Sequence, residues 1–319
     1  MAKRASVHLI ATGGTIAGVA DDVNAPQHYA AGVLTAEQLI ASVPGLFAVA
    51  DLTVEQLYNL DSRDMTPEHW RGLARAVHAA LARDDVDGVV VTHGTDTLEE
   101  SAFYVDLVTQ SPKPVVFTGA MRPANAPSPD GPMNLLDAVT VAASPKARGL
   151  GVLAVLHQRI HAARDVTKSS PDRLDAFSSG EGGVVGRTSP IQIFRAVVPR
   201  EKALPVAPDG PLPRVDVLLI GAGSAPDMLE AAREKGARGV VLALPGNASM
   251  PEAWRHSVIA AAGGGVTTVL VARSGKTLPP KPGQEILPAL VSALPPAKAR
   301  VALLAALGAE SDAEFWLYV

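Results

Sequence analysis

Residues 86–107 read VDGVVVTHGTDTLEESAFYVDL, and this stretch decides the fold class of the chain. The apolar run from Val86 to Val91 predicts a strand, because short runs rich in valine, isoleucine and leucine are typical of strands buried on both faces. A polar turn follows, and Leu98 to Leu107 predicts a helix. A buried strand that leads into a helix favours a parallel sheet covered by helices.

The same alternation extends in both directions from this unit. The other predicted strands of this part are Val7–Ala11, Val115–Thr118 and Leu150–Leu156, and its other predicted helices are Thr35–Val43 and Asn134–Ala143. The expected architecture is α/β, with two domains that have mainly parallel sheets, the larger one N-terminal and the smaller one C-terminal.

A proline-rich stretch separates the two predicted domains. Between residues 197 and 213 the alternation lapses into charges and prolines, which are Pro199, Pro205, Pro208, Pro211 and Pro213. We therefore predict an N-terminal domain over residues 1–196, a linker over 197–213 and a C-terminal domain over 214–319. The strands predicted in the last part are Val215–Ile220, Val240–Leu244 and Val266–Val271, and the helices are Met228–Lys235 and Glu252–Ala262.

Composition excludes several classes of function. Hydrophobic residues make up 47% of the 319 positions, which excludes a disordered or fibrous chain. The formal net charge is −4 without a basic run, which argues against a nucleic-acid or anionic-membrane partner. The sequence has neither a signal peptide pattern nor the ~20 apolar residues of a membrane span. We expect a cytoplasmic protein that acts on a small molecule.

Two polar turns carry the candidate chemistry. They read ATGGTIAG over residues 11–18 and THGTDTLEE over residues 92–100, and each follows a predicted parallel strand. Because both follow parallel strands, both turns lie on one edge of the sheet and can meet. Ligands of such sheets bind at the carboxyl ends of the strands. Glycines there let the backbone come close to a ligand and leave N–H groups free for it.

The second turn runs into a helix, and Asp96 and Glu99 have the spacing of a capping box there. Free N–H groups and the positive helix end would hold an anion, either a carboxylate or a developing oxyanion. Alternatively, the threonine and the aspartate are ordinary cap residues that end the turn. Spacing alone leaves both interpretations open.

Ordered motifs along the chain resemble those of the bacterial-type L-asparaginases. The motifs are IATGGTIAG (10–18), VTHGTDTLEE (91–100), FTGAMRP (117–123) with DGPMNL (130–135), and RDVTK (164–168). The resemblance covers the first domain closely and the second loosely. It implies an enzyme without a cofactor that hydrolyses the side-chain amide of L-asparagine to L-aspartate and ammonia, with L-glutamine as a candidate for a side activity.

The resemblance also assigns catalytic roles, residue by residue. It implies that Thr15 is the nucleophile that forms an acyl-enzyme, and that Tyr29, in a polar segment expected to form a lid, assists it. It implies a second cluster in which Lys168 and Asp96 polarise Thr95. A threonine hydroxyl needs such help because it is a poor nucleophile at neutral pH. The base itself stays open between Tyr29, Lys168 and a bound water, and without the motif Lys168 would be taken for a solvated surface lysine.

Substrate contacts are implied in the same way. Ser62 and Asp96 match residues that hold the carboxylate and the ammonium of the substrate, and the backbone N–H groups of Thr95 and Ala120 are our candidates for oxyanion donors. The full set of expected substrate-binding positions is Gly14, Ser62, Arg63, Gly94, Thr95, Asp96, Ala120 and Asn247.

One of these positions departs from the family pattern. Many relatives carry glutamine or glutamate where Arg63 follows Ser62, and that neighbour helps to hold the substrate's α-ammonium. An arginine there would repel the ammonium, so we expect Arg63 to pair with Asp61 or Asp64 or to turn outward. The departure leaves the preference between asparagine and glutamine open.

Three other patterns in the sequence suggest different functions, and each lacks a feature that the function needs. His157 and His161 have the spacing of a metal pair on a helix, but no glutamate follows the first and the stretch lies at a strand end. Residues 221–226, GAGSAP, resemble half of a dinucleotide fingerprint, yet proline replaces the third glycine and a tight turn is expected. His93 could be a base beside Thr95, but the chain has no Gly-x-Ser-x-Gly elbow and we expect a structural residue. The absence of cysteine excludes a cysteine nucleophile and thiolate metal sites.

Finally, the resemblance implies a homotetramer built as a dimer of dimers. Each site would be closed by the second domain of a neighbouring subunit, through the Gly246–Asn247 pair and through Glu285. The alternative from another class is a binding protein that kept the amino-acid pocket and lost turnover. An intact catalytic set argues against that alternative.

Overall fold

The computed structural model describes residues 4–22, 28–198, 200, 202–275, 287–313 and 316. The chain divides into two compact units, Met1–Ala203 and Leu204–Val319. Each unit is an α/β structure, and the larger one contains the mainly parallel sheet, so the predicted fold class is confirmed. Among the described residues, no helix is both long enough and apolar enough to cross a membrane.

The first unit contains strands and helices in alternation. Its strands are β1 Ala5–Gly13, β2 Val19–Ala20, β3 Tyr29–Ala30, β4 Ala50–Leu60, β5 Gly88–Thr92, β6 Val115–Thr118, β7 Val152–Leu156, β8 Arg159–Ala162, β9 Thr167–Lys168, β10 Phe177–Ser178, β11 Gly186–Arg187 and β12 Gln192–Ile193. Its α-helices are α1 Ala36–Ala41, α2 Leu46–Val49, α3 Pro67–Leu81, α4 Leu98–Val108 and α5 Gly131–Ala142. Short 3₁₀ helices span Thr15–Ala17, Ser62–Asp64, Pro145–Ala147 and Gly180–Gly182.

The central sheet is parallel on one side and antiparallel on the other. Within the described residues the strand order is β12-β11-β8-β7-β6-β5-β1-β4, and the pairs from β4 to β7 are all parallel. The pairs β7–β8, β8–β11 and β11–β12 are antiparallel. Every residue of β5 and β6 is buried, as expected for strands covered on both faces. This arrangement places the carboxyl ends of β1, β5 and β6 side by side.

Two apolar cores lie on the two faces of this sheet. On one face α1 and α5 pack through residues such as Leu39, Leu135 and Val139. On the other face α3 and α4 pack through residues such as Leu73 and Val105. Helices on both faces hold the parallel strands rigidly, and their carboxyl ends therefore form a fixed platform for the turns that follow them.

Strand β4 and helix α3 were not predicted from the sequence. In β4 the residues are only partly buried or exposed along most of the strand, because it lies at the edge of the sheet, and no continuous apolar run marks it. Helix α3 carried clear signals nevertheless. Thr66 caps it with a capping box that includes His69, and Pro67 occupies the first turn.

The second unit is a smaller parallel sheet covered by helices. Its strands are β13 Val215–Leu219, β14 Gly239–Leu244, β15 Thr267–Ala272 and β16 Leu290–Val291, in that order in the sheet, and its α-helices are α6 Asp227–Glu234, α7 Arg255–Gly263 and α8 Pro296–Gly308. The predicted helix from Glu252 to Ala262 begins as a 3₁₀ turn, Glu252–Trp254, and becomes α-helical at Arg255. Helix α8 was not predicted from the sequence; it is apolar around most of its circumference and is largely buried.

Candidate active site

The two glycine-containing turns meet at the carboxyl ends of β1 and β5. These strands are parallel neighbours, so the turn after each leaves the sheet at the same edge. Gly13 and Gly14 both have positive φ, at 100° and 80°. A Cβ atom on Gly14 would lie 2.3 Å from the Cα atom of Gly94, so the two backbones touch and neither turn has room for a side chain there. The predicted meeting of the two turns is confirmed.

Thr15 and Tyr29 form the first polar pair of the site. Thr15 begins a 3₁₀ helix and is buried, and its Oγ1 atom lies 2.6 Å from the Tyr29 hydroxyl. Tyr29 reaches it from β3, which pairs with β2 in an antiparallel ribbon. Gly18 makes this approach possible, because a Cβ atom there would lie 2.8 Å from Tyr29 Cδ2. The tyrosine is 37% exposed, so it covers the threonine hydroxyl from the solvent side.

Lys168 links Thr95 and Asp96 into a second polar cluster. Its ammonium donates to Thr95 Oγ1 at 2.9 Å and to Asp96 Oδ1 at 2.7 Å. Only 14% of the Lys168 side chain is exposed, whereas 56% of the Asp96 side chain is. The interpretation of Lys168 as a solvated surface lysine is therefore wrong. Three residues named from the sequence lie in direct contact, although Lys168 is more than 70 positions away from the other two in the chain.

The predicted capping box at the start of α4 does not form. The helix begins at Leu98 with Thr97 at the N-cap position, and no side-chain hydrogen bond caps it. Asp96 and Glu99 turn to Lys168 instead, Asp96 to its ammonium and Glu99 Oε2 to its backbone N–H at 2.6 Å. The prediction failed because a capping box needs the acidic side chains to accept from the helix backbone, and here a cation and an N–H from another segment occupy them.

Ser62 joins the turn after β4 to the turn after β5. It is buried, and its Oγ accepts the backbone N–H of Asp96 at 3.1 Å. The Thr97 hydroxyl donates to the Ser62 carbonyl at 2.7 Å. These bonds hold the backbone of both turns in one geometry.

Arg63 points away from this group of contacts. Its guanidinium pairs with Asp61 at 3.1 Å, and 73% of its side chain is exposed. The Asp61 carboxylate also accepts the backbone N–H of Arg63. Of the alternatives open from the sequence, the structure shows pairing with Asp61 together with an outward orientation.

A third turn, residues 119–122, follows β6 and is held by two polar side chains of α5 and its N-cap. The Asp130 carboxylate accepts the backbone N–H groups of Met121 and Arg122 at 2.9–3.2 Å. Asn134, almost fully buried, donates to the Gly119 carbonyl at 2.9 Å and to Asp130 at 3.1 Å. The motif DGPMNL contains both residues, but its sequence alone gave no role for them.

Two models of known protein families match the chain, one in each of the two units. The family model described as "Asparaginase, N-terminal" matches residues 6–198, and the one described as "Glutaminase/Asparaginase C-terminal domain" matches residues 214–315. The chain belongs to the asparaginase family.

Relatives within the asparaginase family span bacteria and fungi. "L-asparaginase 2" of Bacillus subtilis (strain 168) is 39% identical over 313 residues, which cover 96% of this chain and 84% of that protein. "Probable L-asparaginase 4" of Schizosaccharomyces pombe is 41% identical over 248 residues, which cover 76% of this chain and 70% of that protein. Among solved structures, a "Probable Cytoplasmic L-asparaginase" from Campylobacter jejuni matches with a TM-score of 0.92 and 34% identity, over 98% of each chain.

His93 is fully buried beneath the second turn of this asparaginase-family chain. Its Nδ1 atom donates to the Gly94 carbonyl at 2.7 Å, and its ring lies 6.1 Å from that of Phe117. Burial lowers the pKa of the His93 imidazole to about 4, so the ring is neutral at pH 7. Among the described residues, its Nε2 atom has no hydrogen-bond partner.

The other candidate patterns occupy ordinary structural positions. His157 lies in the tight turn between β7 and β8 with φ 48°, whereas His161 lies within β8 and shares a 2.7 Å hydrogen bond with Ser179, so they are not on one helix face. The described residues contain no group of three side chains suited to a metal ion. Residues 221–226 form a short turn between β13 and α6, closed by Ser224 Oγ, which accepts the Gly221 N–H at 2.9 Å. Asn247 follows β14 in the second unit, and Glu285 lies outside the described residues.

Proposed function

We propose that this chain is an L-asparaginase that hydrolyses the side-chain amide of L-asparagine to L-aspartate and ammonia. The observation that carries the proposal is the pair of hydroxyl clusters on two turns in contact. Thr15 Oγ1 lies 2.6 Å from the Tyr29 hydroxyl, and the Lys168 ammonium lies 2.9 Å from Thr95 Oγ1. A nucleophilic hydroxyl with a hydrogen-bonded phenol, on a turn in contact with the turn of a second polarised hydroxyl, suits acyl transfer through a covalent intermediate.

In the proposed first step, Thr15 Oγ1 attacks the carbon of the side-chain amide. The hydroxyl proton passes through Tyr29, whose phenol oxygen is within hydrogen-bond distance, and is delivered to the amide nitrogen, which leaves as ammonia. The product of this step is an ester between Thr15 and the aspartyl group. Water then attacks the ester carbonyl, the ester bond breaks, Thr15 regains its proton and L-aspartate leaves.

Oxyanion stabilisation falls to backbone N–H groups beside the two clusters. Among the described residues, the N–H groups of Thr95 and Ala120 donate to no acceptor, which leaves them available for the negative oxygen of the tetrahedral intermediate. Loss of one such donor typically reduces kcat by about 10²–10³-fold. Gly14 and Gly94 contribute by the absence of a side chain, because a Cβ atom on Gly14 would meet Gly94 and one on Gly94 would meet Ser62, and the turns could then not lie against each other.

Recognition of the substrate's charged groups falls to Ser62 and Asp96. More than half of the Asp96 side chain is exposed, so its carboxylate can accept from an α-ammonium while it keeps its pair with Lys168. Arg63 is held by Asp61 and does not bring its cation to that ammonium. We propose that L-asparagine is the main substrate and that L-glutamine is a side substrate.

The assembly, the domain limits and the location are proposals of the same kind. We propose a homotetramer built as a dimer of dimers, in which Asn247 completes the site of a neighbouring subunit, with domains over residues 1–196 and 214–319 joined by a linker over 197–213. The limits of the two family matches, 6–198 and 214–315, support these boundaries. The name of the Campylobacter jejuni relative supports a cytoplasmic location. A fully active monomer in light scattering would contradict the shared site.

The experiment that tests the function is release of ammonia from L-asparagine, and separately from L-glutamine, by the wild-type protein and by Thr15→Ala. We expect turnover of asparagine in the wild type and its loss in the variant. The matched control is Thr140→Ala, which removes a hydroxyl that donates to Leu136 within α5 and should leave turnover intact. Tight binding of asparagine by folded wild-type protein without ammonia release would instead favour a binding protein.

A further inference from the structure

The segment that carries Lys168 is not a strand of the central sheet, although Val166 and Phe177 beside it are buried in the core. Lys168 ends β9, which has two residues and, within the part of the chain that the structure describes, pairs with β10 in a ribbon separate from the central sheet. Backbone pairing with β6 or β5 therefore does not set the position of the lysine. The ribbon needs other contacts to bring a long, flexible side chain to Thr95.

Two carboxylates at the start of α4 hold Lys168 at its two ends. Asp96 Oδ1 accepts from the ammonium at 2.7 Å, and Glu99 Oε2 accepts from the backbone N–H at 2.6 Å. Both bonds involve a charged partner, which makes them shorter and stronger than neutral hydrogen bonds. Because the first turn of a helix favours negative charge, α4 also stabilises the Glu99 carboxylate in this place.

We infer that Glu99 is a positioning residue of the proposed asparaginase reaction, acting through Lys168. It fixes the main chain from which the lysine side chain extends, so that the ammonium reaches Thr95 Oγ1 at 2.9 Å. The family motifs imply catalytic roles for Thr15, Tyr29, Thr95, Asp96 and Lys168. They imply no role for Glu99. The inference rests on the proposed function.

The magnitude follows from how strongly catalysis depends on placement. A shift of about 1 Å in a catalytic group can reduce the rate about 10²-fold. Without the Glu99 carboxylate, the β9 backbone loses its anchor to α4 while the Lys168–Asp96 pair can persist in other geometries. We therefore expect kcat to fall about 10- to 100-fold in Glu99→Met, with KM changed less than about threefold, because Ser62 and Asp96 remain in place.

Three variants separate positioning from charge and from folding. Glu99→Met keeps the length of the side chain and removes the acceptor. Glu99→Gln removes the charge and keeps an acceptor oxygen for the Lys168 N–H. Glu37→Met is the matched control, because Glu37 is exposed and also lies in the first turn of a helix, α1.

Steady-state ammonia release from L-asparagine and thermal unfolding are measured for all three variants and for the wild type. The expected result is a lowered kcat in Glu99→Met, recovery to within about fivefold of wild type in Glu99→Gln, and wild-type kinetics in Glu37→Met. Wild-type kcat in folded Glu99→Met would overturn the inference, as would an equal loss of kcat in Glu99→Gln. If Glu99→Met fails to fold, Glu99→Leu, which also lacks an acceptor, takes its place with the same expected loss of kcat. A wild-type protein without ammonia release would refute the proposed function instead, and the two failures are therefore distinct.

Discussion

Acidification should destabilise this protein through His93. The imidazole is fully buried, and burial lowers its pKa to about 4 from the ordinary value of 6.5. Below pH 6.5 the unfolded chain binds a proton at this position, whereas the folded chain does not until about pH 4. Unfolding is therefore favoured as the pH falls through this window.

The size of the effect follows from the two pKa values. A pKa difference of one corresponds to about 1.4 kcal/mol, so the free energy of unfolding should fall by about 3 kcal/mol once the pH is below 4. At pH 4.5 the free energy of unfolding should already have fallen by about 2 kcal/mol. That is a large fraction of the stability of a typical domain.

Urea unfolding of wild type and His93→Asn, at pH 7.0, 5.5 and 4.5 and at one protein concentration, measures this contribution. The asparagine amide can still donate to the Gly94 carbonyl, but it does not titrate. We expect the variant to be less stable at pH 7.0 by about 1–3 kcal/mol, because the smaller side chain leaves a void. The difference should shrink by about 2 kcal/mol at pH 4.5. A difference that stays constant across the three pH values would refute the reasoning.

Three further predictions concern other positions. Lys168→Met should reduce kcat by about 10²–10⁴-fold with unchanged circular dichroism, and wild-type rates would refute a catalytic role for Lys168. Gly14→Ala should lower both the melting temperature and the activity, because the new Cβ would meet the backbone of Gly94 at a φ of +80°; an unchanged melting temperature would contradict this. Burial raises the pKa of Asp137, so the folded protein loses stability as the pH rises above about 4 and this carboxyl ionises in the unfolded chain. Asp137→Asn should therefore melt at a higher temperature than wild type at pH 7.5 and lose this advantage near pH 4. Equal shifts in melting temperature at both pH values would argue against this reasoning.

The sequence was most informative where a strand is buried on both faces. Helices cover β5 and β6 on both faces, so every residue of these strands is buried and must be compatible with a core. The resulting apolar run predicts each strand from its own sequence alone. At the edge of the sheet the same physics leaves a mixed pattern, and β4 was missed although it is the longest strand described. The start of β7 was placed two residues early, because Gly151 has a φ of 72° and does not continue the strand.

The site was predictable to the extent that parallel strands determine it. The contact between the turns at Gly14 and Gly94 follows from the adjacency of β1 and β5. The place of Lys168 does not, because a two-residue strand has no periodicity to detect and its contacts span some 70 positions. Family resemblance supplied that residue, whereas local spacing misassigned Glu99 to a helix cap. Only the folded chain shows which segment each carboxylate meets.

The contact between Gly14 and Gly94 also determines where this protein can acquire new specificity. A side chain at Gly14 would collide with the main chain of Gly94, and one at Gly94 would collide with Ser62, so neither position can be varied without moving a neighbouring turn. Substitutions are easier to accommodate at exposed positions beside these turns. Residue 63 is the clearest example, since its side chain is 73% exposed and pairs with Asp61, two residues before it in the chain. Saturation mutagenesis aimed at amide preference should therefore begin at position 63 and leave the floor of the site untouched.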